Sequence, residues 1–332
     1  MNIRERRAIH QTAAHALSRA SQARQIAIVY AAICVGLSLL STVISVLLSD
    51  KIAGTGGLGN IGIRSVLSTG QSVLPLVNFI INACLTIGYH IAILSFTRGF
   101  DASPRTLSQG FRYWGVILRT LLFQVFIYVG TLFVAMYLSS FIFMSTSYAE
   151  PFVTAMEPYL SSLTVLSDSL VLDEELLTVA MDTLMPMMWI LAAVALVLML
   201  PLYYRFRMVN YALADDPQRG AIHAVVKSRH LMRRNCFALF RLDLTLWWFY
   251  AAQLGISLVC YGDVLLPMLG VELPVPETVA FFGFYLLYMA ASFCVHYFLR
   301  NKAEVSYALA YDAVKPEEKQ SGGVVLGNIF QM

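Results

Sequence analysis

Six stretches of the chain are apolar with little interruption: residues 25–48, 73–96, 121–144, 185–204, 242–261 and 279–299. Each is near the ~20 residues that an α-helix needs to cross a bilayer core. The pattern predicts an all-α fold, a polytopic membrane helical bundle of six transmembrane helices. Amphipathic helices at the cytoplasmic interface are expected to join them. The first run is too long for the apolar core of a signal peptide, and Ser49-Asp50-Lys51 makes a poor cleavage site. The expected division is a basic N-terminal helix over 1–24, a membrane domain over 25–313 and a tail over 314–332. Within the domain lie an acidic outer segment, 145–184, and a cytoplasmic elbow, 205–241.

The second stretch is the most polar. Asn78, Asn82, Thr86 and Tyr89 recur at helical spacing and share one face, with His90 beside them. Two readings stand for this seam. It holds helices together by hydrogen bonds worth ~0.6–2 kcal/mol each, or it lines a solvated path. Ser103-Pro104 and Asp216-Pro217 each predict a helix start, an N-cap residue followed by proline at the first helical position. The helix after Pro217 presents Lys227, Arg229, Arg233 and Arg234. Ala221, Val225, Ser228 and Met232 form its apolar stripe, widened by Ile222 and Val226. Such a basic, amphipathic helix is expected in the headgroup plane, with those four cations on anionic lipid.

Composition adds class and orientation. The chain is 58% hydrophobic and 13% charged, with a mean hydropathy of +0.67, against about half and a quarter in soluble domains. Of 23 Lys and Arg, only Lys51 and Arg64 fall in loops assigned to the outside. The positive-inside rule therefore puts both termini in the cytoplasm. The net charge of +3 conceals this asymmetry and gives no sign of nucleic acid. The five cysteines (Cys34, Cys84, Cys236, Cys260, Cys294) form no C-x-x-C pair, so neither zinc nor a redox couple is indicated. Gly54 to Gly59 satisfies G-x-G-x-x-G, but it follows an apolar helix rather than a strand, and is read as a loop.

No acid falls in the middle of an assigned span. Asp243 comes closest and is expected to pair with an elbow arginine or cap its helix. The six histidines do not cluster with carboxylates, and no G-x-S-x-G turn occurs. No catalytic, cofactor-binding or metal-binding residue is therefore assigned.

Two octets match. Val209-Asn210-Tyr211-Ala212-Leu213-Ala214-Asp215-Asp216 parallels Val305-Ser306-Tyr307-Ala308-Leu309-Ala310-Tyr311-Asp312, as remnants of repeated helix pairs would. The elbow also resembles a bacterial membrane family catalogued as domain of unknown function 975. The resemblance rests on Pro201, on Tyr211 through Asp215, Asp216 and Pro217, on Lys227-Ser228-Arg229-His230-Leu231-Met232, and on Leu239-Phe240-Arg241-Leu242-Asp243-Leu244 with Trp247. A more distant similarity reaches the membrane domain attached to some glycerophosphodiester phosphodiesterases. The resemblance departs in the long acidic outer segment and at Arg233-Arg234-Asn235, where a K-G-N-type turn is usual. It implies the fold and a bacterial plasma-membrane location, and supplies no substrate.

Function then divides two ways. A non-catalytic protein would organise membrane lipids, through their anionic headgroups, or partner proteins at its basic cytoplasmic face. Alternatively, an uncoupled transporter would export a lipid or small solute along the seam.

Overall fold

The computed structural model describes residues 12, 21–54, 61–150, 153–154, 174–262, 265–266 and 277–315. The expected basic helix over 1–24, the glycine-rich loop, the middle of the acidic segment and the tail beyond Lys315 lie mostly or wholly outside these residues. The chain is an all-α polytopic helical bundle. Helix α1 spans Ser21–Gly54 and α2 spans Ile61–Thr97. A 3-10 turn, Pro104–Ser108, leads to a short helix α3, Gln109–Arg112, and then to α4, Trp114–Met144. Helix α5 is Glu174–Phe206, beginning within the acidic Asp173-Glu174-Glu175 run. Even α4, at 31 residues, is about 46 Å long. These four helices therefore overreach the ~30 Å hydrocarbon core.

The elbow is three pieces. Helix α6 covers Val209–Asp215, a 3-10 turn covers Pro217–Arg219, and α7 covers Ala221–Met232. Between turn and helix, Gly220 has φ +89°, a conformation that costs other residues dearly. Neither expected cap forms as a side-chain bond. Ser103 contributes its carbonyl to Thr106 N (2.9 Å), and Asp216 turns to Arg219 (2.7 Å). The helix start expected at Pro104 is a 3-10 turn, and the helical path beyond it is broken at Tyr113.

The fifth expected span, 242–261, is not one helix. Helices α8, Cys236–Thr245, and α9, Trp247–Cys260, meet at 66°. Neither proline nor glycine marks the bend. Leu246 N is shared between Leu242 O (3.2 Å) and Asp243 O (2.9 Å), while Thr245 Oγ1 donates to Leu242 O at 2.6 Å. Such a side-chain bond competes with the helical ladder. Alone, α9 is about 21 Å long and too short to cross. Among the described residues, five helices are thus long and apolar enough to span a membrane, six if the bent pair is one span.

The last expected span also differs. Helix α10, Glu277–Cys294, continues through a π-helical turn, Val295–Arg300, into α11, Asn301–Val314. The charges at Arg300, Lys302 and Glu304 do not end it.

The chain forms two compact units, Met1–Thr120 with Arg207–Met332, and Leu121–Phe206. In the first, α1 packs along α2 through Ala23, Ile26, Ala27, Tyr30 and Ala31, the i, i+3, i+4 stripe of a core-facing helix. The 3-10 turn and α3 fold back on α2 with almost no gap. A Cβ on Gly88 would lie 2.1 Å from Leu107 O, and one on Gly110 1.9 Å from Cys84 O. In the second unit, Phe126, Phe133, Tyr137, Trp189 and Val197 are at least 66% exposed. Aromatic and aliphatic surface of that extent belongs against lipid, since in water it would drive association.

Candidate functional site at the basic ends of the helices

Arg98 follows α2, where Gly99 (φ +79°) ends the helix and Phe100 N returns to Ser95 O at 2.9 Å. That turn delivers the guanidinium between the two octets. Its Nη1 lies 2.8 Å from Asp215 Oδ1, and its Nη2 donates to Asp312 Oδ1 at 2.7 Å. Asp215 Oδ2 also receives Lys227 Nζ (2.9 Å), Lys315 Nζ (2.9 Å) and Tyr311 Oη (3.0 Å). Partial burial works against the Arg98 charge, but bonding and attraction from Asp312 and then Asp215 outweigh it. The pKa of Arg98 is raised above that of a free arginine. One carboxylate thus gathers three cations from three elements.

A second network centres on Glu304, absent from the sequence-based reading because it follows the sixth apolar stretch. Here the helix passes straight through it, and its side chain is 15% exposed. His90 Nε2 donates to Glu304 Oε2 at 3.1 Å, Tyr211 Oη donates to the same oxygen, and Arg300 Nε lies 3.5 Å from Oε1. The spacing of Asn301, Glu304, Ala308 and Tyr311 could have signalled a buried face. The hydropathy of 300–304 hid it.

The seam of α2 is largely tied up. Tyr89 Oη donates to Asn301 Oδ1 (3.1 Å) and its ring stacks on Tyr30 (centroids 4.4 Å). Tyr30 Oη and Thr86 Oγ1 are bonded at 3.1 Å, whereas Asn82 Nδ2 bonds Asn78 Oδ1 (2.8 Å) within the helix. Thr86→Val is therefore expected to cost about 0.6–2 kcal/mol of unfolding free energy in detergent. Asn78→Leu, which breaks no bond between helices, should cost less. Equal losses in a chemical-denaturation series would contradict that assignment.

Beside the seam lies a cavity of about 270 Å³ between α1, α2 and the last helix. Tyr30 and Ser38 line it from α1, Asn82 and Thr86 from α2, and His296 and Arg300 from the π-helical turn. His296 Nδ1 donates to Ser292 O at 2.8 Å. π turns are rare and recur at functional sites.

The elbow residues divide. Ser228 is fully buried, with Ala224, Val225, Leu231 and Met232, so α7 turns this stripe towards α6. Ile222 and Val226, expected to widen the stripe, are 72% and 59% exposed instead. They flank the exposed Arg229 and Arg233, with exposed Arg234 beyond. Of the four expected lipid-facing cations, Lys227 differs: Asp215 draws it inward. Asp243 is buried and accepts from Tyr307 Oη at 2.5 Å, with Arg207 over the Tyr307 ring at 4.7 Å. Pro201 lies inside α5, Pro217 opens its 3-10 turn, and Trp247 is exposed at the start of α9. No group of three or more metal-ligating side chains occurs among the described residues.

A family profile described as "Protein of unknown function (DUF975)" matches residues 1–314. No curated protein and no solved structure matches the chain.

Proposed function

For a chain that belongs to the DUF975 family of unknown function, we propose a non-catalytic role: a multi-pass protein of the bacterial plasma membrane that organises anionic lipid at a basic cytoplasmic face. The bent α8–α9 pair counts as one span in this reading, which gives six and places both termini inside. One observation carries it. Arg105, Arg112, Arg119, Arg229, Arg233 and Arg234 are exposed and pair with no acid among the described residues. Phe111, Trp114, Ile222, Val226 and Phe237 are exposed in the same segments. Arg98, Lys227, Arg300 and Lys315, by contrast, turn inward and each meets an acid. Outward cations interleaved with apolar side chains match the chemistry of an interface with anionic headgroups.

The test uses the whole protein in nanodiscs of mixed phosphatidylglycerol and phosphatidylcholine, with retained lipid counted by mass spectrometry. Phosphatidylglycerol should be enriched over bulk, less so at high salt. It should fall on Arg229→Gln/Arg233→Gln/Arg234→Gln, each cation being worth about 1 kcal/mol near the surface. Retention that ignores both salt and the triple substitution would reduce the basic face to an orientation signal. The second reading, an uncoupled exporter of lipid or small solute, draws on the cavity beside Asn82 and Thr86. Flux in reconstituted vesicles is its test.

A further inference from the structure

We propose that the cavity between α1, α2 and the π-helical turn is a binding site for a phosphate-ester anion, with Arg300 as its cationic anchor. This site is separate from the exposed basic face and does not depend on it.

The inference starts from the guanidinium. Arginine carries five N–H donors on two usable edges. Only Nε is directed to an acid, Glu304 Oε1, at a long 3.5 Å. Its carbon lies 5.0 Å from the centroid of the Tyr30 ring, which holds the plane from one side. Among the described residues no protein acceptor takes a hydrogen bond from Nη1 or Nη2, and Arg300 lines the cavity. Glu304 engages it only through Oε1, at 3.5 Å from Nε, while His90 and Tyr211 hold the other oxygen. A guanidinium edge left open towards a cavity is the geometry that binds phosphate in a bidentate manner.

The rest of the lining supplies what an ester oxygen or a hydroxylated headgroup needs. With Nδ1 of His296 donating to Ser292 O, Nε2 is left as an acceptor for a hydroxyl of the headgroup. Ser38 adds a hydroxyl and Asn82 an amide. The π turn sets Arg300 and His296 on the cavity side together. At about 270 Å³ the space falls just below the ~300 Å³ at which drug-sized sites begin. It suits a phosphate bearing a glycerol-sized substituent. Val35 and Met289 complete one wall with apolar surface, as an amphiphile requires.

The ligand could be a lipid headgroup or a soluble phosphate ester, and the experiment separates them. The full-length protein is placed in phosphatidylcholine nanodiscs. Phosphatidylglycerol is titrated in one arm, and glycerol 3-phosphate or inorganic phosphate in the other, with native mass spectrometry as the readout. One saturable equivalent is expected, and Arg300→Gln should weaken it at least tenfold. Since that change also strands Glu304, Ser38→Phe is the second variant. It fills the cavity, leaves the Arg300–Glu304 pair intact and preserves the Ser38 carbonyl that accepts from Tyr285 at 3.1 Å. It too should weaken binding tenfold, whereas Arg229→Gln/Arg233→Gln/Arg234→Gln should retain the site. Saturation by the lipid alone identifies a headgroup site; saturation by the soluble esters identifies a solute site. Binding of neither class to the folded protein overturns the proposal, as does unchanged affinity in Ser38→Phe.

Discussion

Replacing Asp215 with alanine is expected to remove about 3–5 kcal/mol of stability, the cost of breaking a buried ion network from one side. The side chain is only 6% exposed, and its loss would leave Arg98, Lys227 and Lys315 facing one another with Asp312 as their remaining acid. Three like charges in a partly desolvated junction repel strongly, because water screens them poorly there. The measurement is equilibrium unfolding of the purified protein in detergent. Adding Lys227→Met and Lys315→Met to Asp215→Ala removes two stranded cations and should recover part of the loss. A change below about 0.5 kcal/mol, the scale of an ordinary surface substitution, would show that the junction is solvated and unimportant for stability.

The second large effect comes from a single methyl group. Gly110→Ala would place Cβ 1.9 Å from the carbonyl oxygen of Cys84. The obstacle is backbone in the middle of α2, which has no rotamer to change. Either α3 lifts off α2 or α2 bends, and overpacking of this kind costs about 1–3 kcal/mol, occasionally more. Gly130→Ala is the matched control: it sits within α4, and nothing lies within 4 Å of the added Cβ. It should stabilise by about 0.5–1 kcal/mol through helix propensity alone. Opposite shifts in melting temperature are therefore expected from the same chemical change. A destabilisation shared by both would point to glycine's flexibility and away from the close approach at α3.

The apolar stretches were legible because lipid-facing helices need hydrophobic side chains on most of their surface, as Leu39, Leu40 and Leu47 of α1 illustrate at 44–60% exposure. The bend at Leu246 was not. Thr245-Leu246-Trp247 contains no helix breaker, and the hydroxyl bond of Thr245 to Leu242 O that accompanies the break is not distinctive, since Ser139 bonds Met136 O in the same way within the unbroken α4. Glu304 escaped for the opposite reason. Charge at 300–304 looks like an exit from the membrane, and only Arg300, His90 and Tyr211, two of them remote in sequence, make burial of the acid tolerable. The octets were visible as a repeat, but their roles were not. Tyr211 serves Glu304, whereas the matching Tyr307 serves Asp243. At the next matched position, Asp215 accepts the hydrogen bond that Tyr311 donates. The two copies have become partners, so similarity of sequence conceals complementarity of function.

The bonds of α2 to the last helix impose a waiting time on synthesis. Tyr89 meets Asn301 across 212 residues, while His90 meets Glu304 and Arg98 meets Asp312 across 214. At a translation rate of about 5–20 residues per second, the three donors of α2 precede their acceptors by roughly 10–40 s. Throughout that interval a nascent chain holds a tyrosine hydroxyl and an imidazole whose final partners have not yet been made, and a guanidinium that has only Asp215 once the elbow is synthesised. Water, lipid headgroups or the insertion machinery must serve them meanwhile. The α10–α11 helix, whose acceptors are made 212–214 residues later, is therefore the one that releases α2 from that temporary custody.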